Sequence, residues 1–395
     1  MTKSMQTVAA IAGSSPDKPQ FVFRPYALSR AVNCFLQQFK GTCLYAVKTN
    51  PDNRILQELH SHGVRTFDVA SLEEVALVRG LFSDVTLFFM HPVKSRKAIH
   101  EAYHTYGVRH FSLDSEAELN KILQETGNAK DLTLYVRLSI PNNFAEISLS
   151  EKFGINLQEA PELLQKVASH ADKIGTCFHV GSQCMHPDAY RIAMRMAAEV
   201  IRQSGVQLDY FNVGGGFPSI YPGMIPPDMS EYFDAIHEEF DRIAGSESMQ
   251  LLAEPGRAMV AESMSLLVRV ELRKESRLYI NEGTYGSLFD AGQPNFIFPM
   301  KLICGETITS SDLKAFSLYG PTCDSLDYMK GPFYLPSDID EGDMIEIGQM
   351  GAYGRTMATG FNGFSAGQGM IDVSDEPLMT MYDDHTHSVH EKLEV

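Results

Sequence analysis

From about Phe21 to Ser263 short apolar runs alternate with amphipathic stretches. The runs are CLYAVK, RTFDVAS, DVTLFFM, RHFSLDS, LTLYVRLSI, IGTCFHVGS, DYFNVGGGF and QLLAEPGR. Between them, segments such as SLEEVALVRGLF, SEAELNKILQETG and PDAYRIAMRMAAEVIRQSG repeat apolar positions at helical spacing. Eight strands, most followed by a helix, predict a parallel (β/α)8 barrel over residues 21–263 rather than an open sheet. Residues 1–20 are small and polar, and read as a flexible lead or an outlying strand of a β domain. After Met264 the texture changes. LLVRVELRKESRLYINEG, KLICGET, AFSLYGPTCD and DMIEIGQMGAY are strand-like, broken by Gly, Pro and Asp turns, with little helix. They predict a C-terminal, mostly antiparallel β domain over residues 264–382. The tail 383–395 reads as frayed, and its His385, His387 and His390 as solvated side chains rather than metal ligands.

Composition narrows the class. The chain has 395 residues, room for a large barrel and a smaller unit, with 44% hydrophobic and 21% charged residues, as in a soluble enzyme. A net charge of -17 repels nucleic-acid backbones and anionic membranes and mildly attracts a cationic small molecule. Cys34, Cys43, Cys177, Cys184, Cys304 and Cys323 form no CxxC pair and no zinc spacing, so they read as reduced thiols. No apolar run approaches the roughly 18 residues of a membrane span, and the first residues lack a signal-peptide core. A soluble, cytoplasmic protein is expected.

Candidate chemistry collects at the strand ends, the functional edge of a barrel. Lys48, Asp68, Arg137, His179, Gly214, Gly215, Gly216, Glu254 and Arg257 all fall there. A lysine closing an apolar strand ordinarily snorkels to water; this one has company. The glycine triplet either makes a tight turn or lets backbone N–H groups close on a phosphate. Its spacing is neither GxGxxG nor a GK[ST] loop. Glu254 and Arg257 either pair with each other or divide a ligand, the guanidinium facing a phosphate and the carboxylate a basic ring nitrogen. His179 offers a flat ring for stacking, and Ser182 a hydroxyl within reach of phosphate. A phosphate, a ring nitrogen and a rim lysine together describe pyridoxal 5′-phosphate.

In combination and order, YAVKTNP, FDVAS, HVGSQ, NVGGGFP, AEPGR, YGPTCDSLD and MGAYG resemble the motifs of the barrel-type (fold type III, alanine-racemase-like) pyridoxal-phosphate decarboxylases of basic amino acids, most of all the ornithine decarboxylases. The resemblance runs from about Tyr26 to Phe364. It implies that Lys48 binds the cofactor aldehyde covalently, His179 stacks on its ring and Glu254 keeps the ring nitrogen protonated. Gly214, Gly215, Gly216, Ser182, Arg257 and Tyr353 would hold the phosphate, backed by Asp68 and Arg137. It also implies that Cys323 delivers a proton to Cα and that Asp324, with Tyr285, binds the distal ammonium of the substrate. Relatives acting on diaminopimelate carry glutamate after this cysteine, so Asp324 fits a plain diamino acid. The Cys323 loop would reach the neighbouring subunit's barrel, giving a homodimer with composite sites bridged by Lys152 and Asp327. One position departs: Glu282 stands where ornithine decarboxylases have a second substrate-binding aspartate, which admits a substrate of another length. The implied activity is conversion of L-ornithine to putrescine and CO2 in polyamine biosynthesis. The alternatives are decarboxylation of lysine, arginine or another cationic amino acid, or amino-acid racemisation, against which Glu254 and Cys323 speak. A catalytically dead regulatory relative would lack Lys48, Glu254, Arg257 and Cys323, all present here.

Overall fold

The computed structural model describes residues 5–141, 143–148, 152–303, 310–364 and 369–382; Cys304 and the tail with its three histidines lie outside the described residues. The eight apolar runs become the staves of one parallel sheet. The staves after the first are Thr66–Val69, Thr86–Phe89, His110–Leu113, Thr133–Arg137, Lys173–Cys177, Tyr210–Asn212 and Gln250–Ala253. The first run is split at Leu44 into Thr42–Cys43, which pairs with the last stave, and Tyr45–Ala46, which pairs with the second. Leu44 N donates to Ala253 O (2.7 Å) and Ala46 N to Pro255 O (3.1 Å), so the last stave closes onto the first. Leu44, Phe88, Met90, Tyr135, Cys177 and Leu252 cluster from five different staves and their ends, filling the interior with apolar side chains. Charged groups of the candidate site are thereby left to the carboxyl rim.

Helices follow the staves where the sequence supplies caps. Ser71 accepts from Glu74 N while Glu74 reaches back to Ala70 N at 2.7 Å, a reciprocal cap opening Leu72–Leu81. Ser115 caps Glu116–Glu125 in the same way from its own side, but its third residue, Glu118, turns instead to Lys94.

The second sheet has eight strands, mostly antiparallel, running Met300–Ile303, Met344–Ile347, Met264–Lys274, Arg277–Ile280, Leu313–Tyr319, Tyr328–Pro336, with Gln20–Phe23 and Met370–Asp372 attached beside Met264–Lys274. Two pairings in it are parallel. The amino-terminal boundary differs from expectation. The lead contains a helix, Val8–Ala12, capped by Thr7, and Gln20–Phe23 is a strand of the β sheet rather than the start of the barrel. Phe21, Val22 and Phe23 are all buried there, because the edge of Met264–Lys274 needs a partner that covers both its hydrogen bonds and its apolar face. Arg24, fully buried at this seam, donates to Glu346 Oε1 (2.5 Å), Ser265 Oγ (2.7 Å) and the Asp375 carbonyl (2.7 Å).

Candidate active site

The first stave ends in a 3₁₀ turn, Val47–Thr49, that lifts Lys48 onto the carboxyl rim. The turn is tied to the β domain: Asn50 Nδ2 donates to Gly351 O (2.9 Å) and Tyr353 N to Thr49 O (3.0 Å). Asp68 follows on the neighbouring stave, in register with Ala46, and its Oδ2 takes a 2.9 Å hydrogen bond from Lys48 Nζ. Asp68 is 3% exposed, whereas the Lys48 side chain keeps 43% of its surface, because protein surrounds it but an open cavity of about 500 Å³ lies before it. Asp68, Arg137, His179 and Glu254 line that cavity with Lys48, and so do Met90, His91, Ser148, Lys152 and Phe153.

Charge coupling follows from this crowding. Desolvation pulls the Lys48 ammonium down, but the carboxylates of Asp68 and Glu254, with Tyr353, outweigh it and the net direction is upward. Burial, then Asp68, push the Glu254 carboxyl up to about 7 against the opposing pull of Lys48, Arg137 and the Asn212 hydrogen bond. Burial first, then Arg137 and Lys48, hold His179 well below its ordinary value, so its imidazole is neutral. Its Nδ1 accepts from Gly181 N (3.0 Å), which leaves the ring proton on Nε2.

Asn212, which sequence reasoning missed, joins two parts of the site. Its Nδ2 donates to Glu254 Oε1 (2.7 Å) and its Oδ1 accepts from Gly214 N (2.8 Å). An asparagine two residues before a glycine triplet, at the end of a strand, was the available signal. The triplet itself admits no side chains. Gly214 (φ +69°) would drive a Cβ into the Phe178 carbonyl, and Gly216 (φ +110°) would place one 2.5 Å from Gly181 O. A Cβ on Gly215 would lie 2.7 Å from Glu254 O. Tyr190 Oη donates to the Gly215 carbonyl at 3.0 Å, fixing the turn from behind.

Arg257 does not pair with Glu254. Its Nη1 donates to Tyr221 Oη (2.7 Å) and its Nη2 to Asp290 Oδ2 (3.1 Å), Asp290 being another residue the sequence did not point to. The guanidinium stands 5.0 Å from the ring of Tyr353, itself at φ +63°, and its buried Nε meets no partner among the described residues. Ser182 opens a short strand, Ser182–Cys184, opposite Ile147, and is not part of the cavity wall.

The remaining candidates sit on the β domain, outside the wall of this chain's own cavity. Cys323 is exposed, its N–H bonded to Asn362 Oδ1 at 3.1 Å. Asp324 accepts from Leu326 N (2.9 Å) and from Tyr285 Oη (2.6 Å), and these bonds, in that order, hold its carboxyl below the ordinary range. Glu282 and Asp327 are both hydrogen-bonded within their own chain. Glu282 does not face a ligand space: it is 2% exposed and accepts from Gly283 N (3.0 Å) and Ser287 Oγ (3.3 Å), in room left by the missing Cβ of Gly286. Asp327 is held inside its own chain. It is buried, and its two oxygens take hydrogen bonds from the backbone and hydroxyls of Thr284 and Thr322, at 2.7 to 3.1 Å.

Comparison with known proteins adds independent findings. Residues 27–261 match the family model of the pyridoxal-dependent decarboxylases, pyridoxal binding domain. The lysine/ornithine decarboxylase of Selenomonas ruminantium is 32% identical over 331 residues, 81% of this chain and 80% of that protein. The ornithine decarboxylase of Schizosaccharomyces pombe is 32% identical over 344 residues, 81% of this chain and 75% of its own length. The arginine decarboxylase of Paramecium bursaria Chlorella virus, solved with agmatine, superposes at TM-score 0.80 and 26% identity over 93% of this chain and 99% of its own.

Proposed function

The chain belongs to the family of pyridoxal-dependent decarboxylases, and from that premise we propose that its substrate is a basic L-amino acid, with L-ornithine, giving putrescine and CO2 for polyamine synthesis in the cytoplasm, as the first choice. The observation that carries a basic substrate is Asp324: a half-buried carboxylate beside the exposed Cys323, aimed by Tyr285 and kept ionised by its hydrogen bonds. A distal ammonium matches it. Lysine and arginine are the second choice, because with Glu282 turned inward one carboxylate alone reads the distal cation and chain length is loosely policed.

The chain's own residues fit pyridoxal phosphate. A glycine turn packed too closely for side chains, with its backbone left uncovered by Cβ atoms, and a buried arginine with an unspent Nε suit a phosphate. Gly214, Gly215, Gly216 and Arg257, with Ser182 and Tyr353, would hold it; Lys48 would bind the aldehyde, and His179 would lie flat on the ring. When bound, the cofactor supplies an electron sink for the charge left at Cα as CO2 departs. Glu254 then serves to hold the ring nitrogen cationic, the state its own unmet burial favours pairing with. Asp68 and Arg137 flank the Lys48 end of the cavity and balance its charge. Cys323 returns a proton to Cα.

Because Cys323 and Asp324 stand outside their own chain's cavity wall, the working site is taken to be composite, with this loop supplied by the second subunit of a homodimer. Two measurements test these points. CO2 release with ornithine, lysine, arginine and diaminobutyrate should give the highest kcat/KM for ornithine; no turnover of ornithine ends that assignment. Lys48→Ala and Cys323→Ala proteins, each nearly inactive, should regain about a quarter of wild-type activity after mixing and subunit exchange, since a two-fold mixed dimer keeps one intact site. No regain would place Cys323 and Lys48 of one chain in the same site.

A further inference from the structure

A titratable side chain in the catalytic cavity is used by none of these roles. His91 follows the stave Thr86–Phe89 and lines the same cavity as Lys48, Asp68, Arg137, Lys152 and Glu254. Its ring meets Phe153 edge-on, centroids 5.1 Å apart at 89°. Its backbone is pinned by Lys94, whose buried Nζ donates to the His91 carbonyl (2.9 Å) and the Ser112 carbonyl (2.6 Å) and pairs with Glu118 (3.0 Å). The imidazole is therefore held in place, half-buried, and no described residue hydrogen-bonds its nitrogens.

We propose that His91 is a catalytic residue, the proton acceptor for the α-ammonium group of the incoming amino acid. This rests on the decarboxylase activity, whichever basic substrate proves correct. An amino acid reaches the cavity as an ammonium ion with no lone pair, so its nitrogen cannot attack the carbon through which Lys48 would hold the cofactor until a proton leaves. The N–H bond broken at the substrate's α-nitrogen is replaced by one formed on the His91 ring. The positive charge passes to the imidazole and then, as a proton, to water at the open mouth of the cavity.

The other groups around the cavity are committed elsewhere. Asp68 is bonded to Lys48, Glu254 to Asn212, and the half-buried His179 accepts from Gly181 through Nδ1. The Lys48 nitrogen, which Asp68 and Glu254 hold cationic before the cofactor binds, would itself be taken up by the cofactor aldehyde. Around His91, Lys48 projects from the turn after the first stave, Arg137 from the fifth, Lys152 from the excursion that follows it, and Lys94 from the segment behind. Burial first, then these cations, hold the ring below its ordinary value and hence neutral, with a lone pair to offer at neutral pH. The same cations favour the neutral form of any amine brought among them, and they drive the imidazolium to give its proton up again.

The experiment uses holoenzyme carrying His91→Gln or His91→Gly. Both should lower kcat/KM about 100-fold or more, the scale of a lost general base. Wild-type kcat/KM should fall as pH drops and His91 takes on its proton, below the ordinary histidine range; His91→Gln should lack that limb. Added imidazole should restore His91→Gly, with more basic substituted imidazoles restoring it faster. A readout apart from turnover is the absorbance change of bound cofactor on rapid mixing with the product diamine, which has no carboxylate to lose. It should slow by a similar factor in both variants. Wild-type rates of that change, or a deficit that no imidazole repairs, would overturn the proposal. Failure of both variants to fold or load cofactor would count against it too, by making the residue structural. If no amino acid is decarboxylated by wild type, the substrate assignment fails while the mixing experiment still judges His91.

Discussion

Lys48→Ala protein is expected to be colourless in the visible and to lose activity by roughly 10⁴-fold or more, the scale seen when a residue central to covalent chemistry is removed. The reason is local. Lys48 is the amine that the first stave lifts into the cavity, where Asp68 at 2.9 Å aims it, while the other cavity lysine, Lys152, stands over the Phe153 ring at 5.1 Å. Removal also strips Asp68, 3% exposed, of its cation, so the melting temperature of the cofactor-free protein should drop. Lys48→Arg separates the two effects. A guanidinium can restore the counter-ion and much of the thermal stability, but it cannot form the covalent link, so colour and turnover should stay absent. A visible band and measurable turnover surviving in Lys48→Ala would refute the assigned role.

Glu254→Gln should lower kcat by roughly 100-fold or more, because an uncharged amide cannot hold a ring nitrogen cationic. Its effect on the cofactor-free protein should run the other way. Burial lifts the Glu254 carboxyl from 4.5 to about 7 in the folded chain, so folding favours its protonated form. That contribution is complete below the unfolded value and disappears as pH rises through 7. Above pH 7 the folded protein therefore carries a buried carboxylate it would rather protonate, and glutamine removes the cost, on the order of 1 to 3 kcal/mol. The variant should melt higher than wild type at pH 8, and the gap should close towards pH 4.5. An equal gap at both values would mean that Glu254 is satisfied without a ligand. Such a result would show that the site is less stable than it could be with a neutral side chain at this position.

The staves were legible because each is a short, largely apolar run ended by a change of chemistry, and the rim residues because strand ends and functional ends coincide in a barrel. Gly214 and Gly216 were legible as glycines that a side chain could not replace. Other features depended on partners far away in the chain. Gln20–Phe23 belongs to the β sheet only because Met264–Phe23 pairing brings together segments some 240 residues apart. Arg257 looks like the natural mate of Glu254 three residues before it, yet the turn between them points it at Tyr221 and Asp290. Asp327 reads as a surface acid and is enclosed by two threonines from different loops.

What the amino-acid sequence determined by itself was the barrel, the β domain, the cofactor class and the gathering of Lys48, His179 and Glu254 at one rim, because each depends on a short stretch and on which residue types that stretch contains. Only the folded chain decided that Glu282 faces inward, that Asn212 couples the glycine turn to Glu254, and that His91 looks into the cavity. Those outcomes turn on how staves and loops separated by many residues pack side by side, where a shift of one bond length exchanges a ligand contact for an internal hydrogen bond.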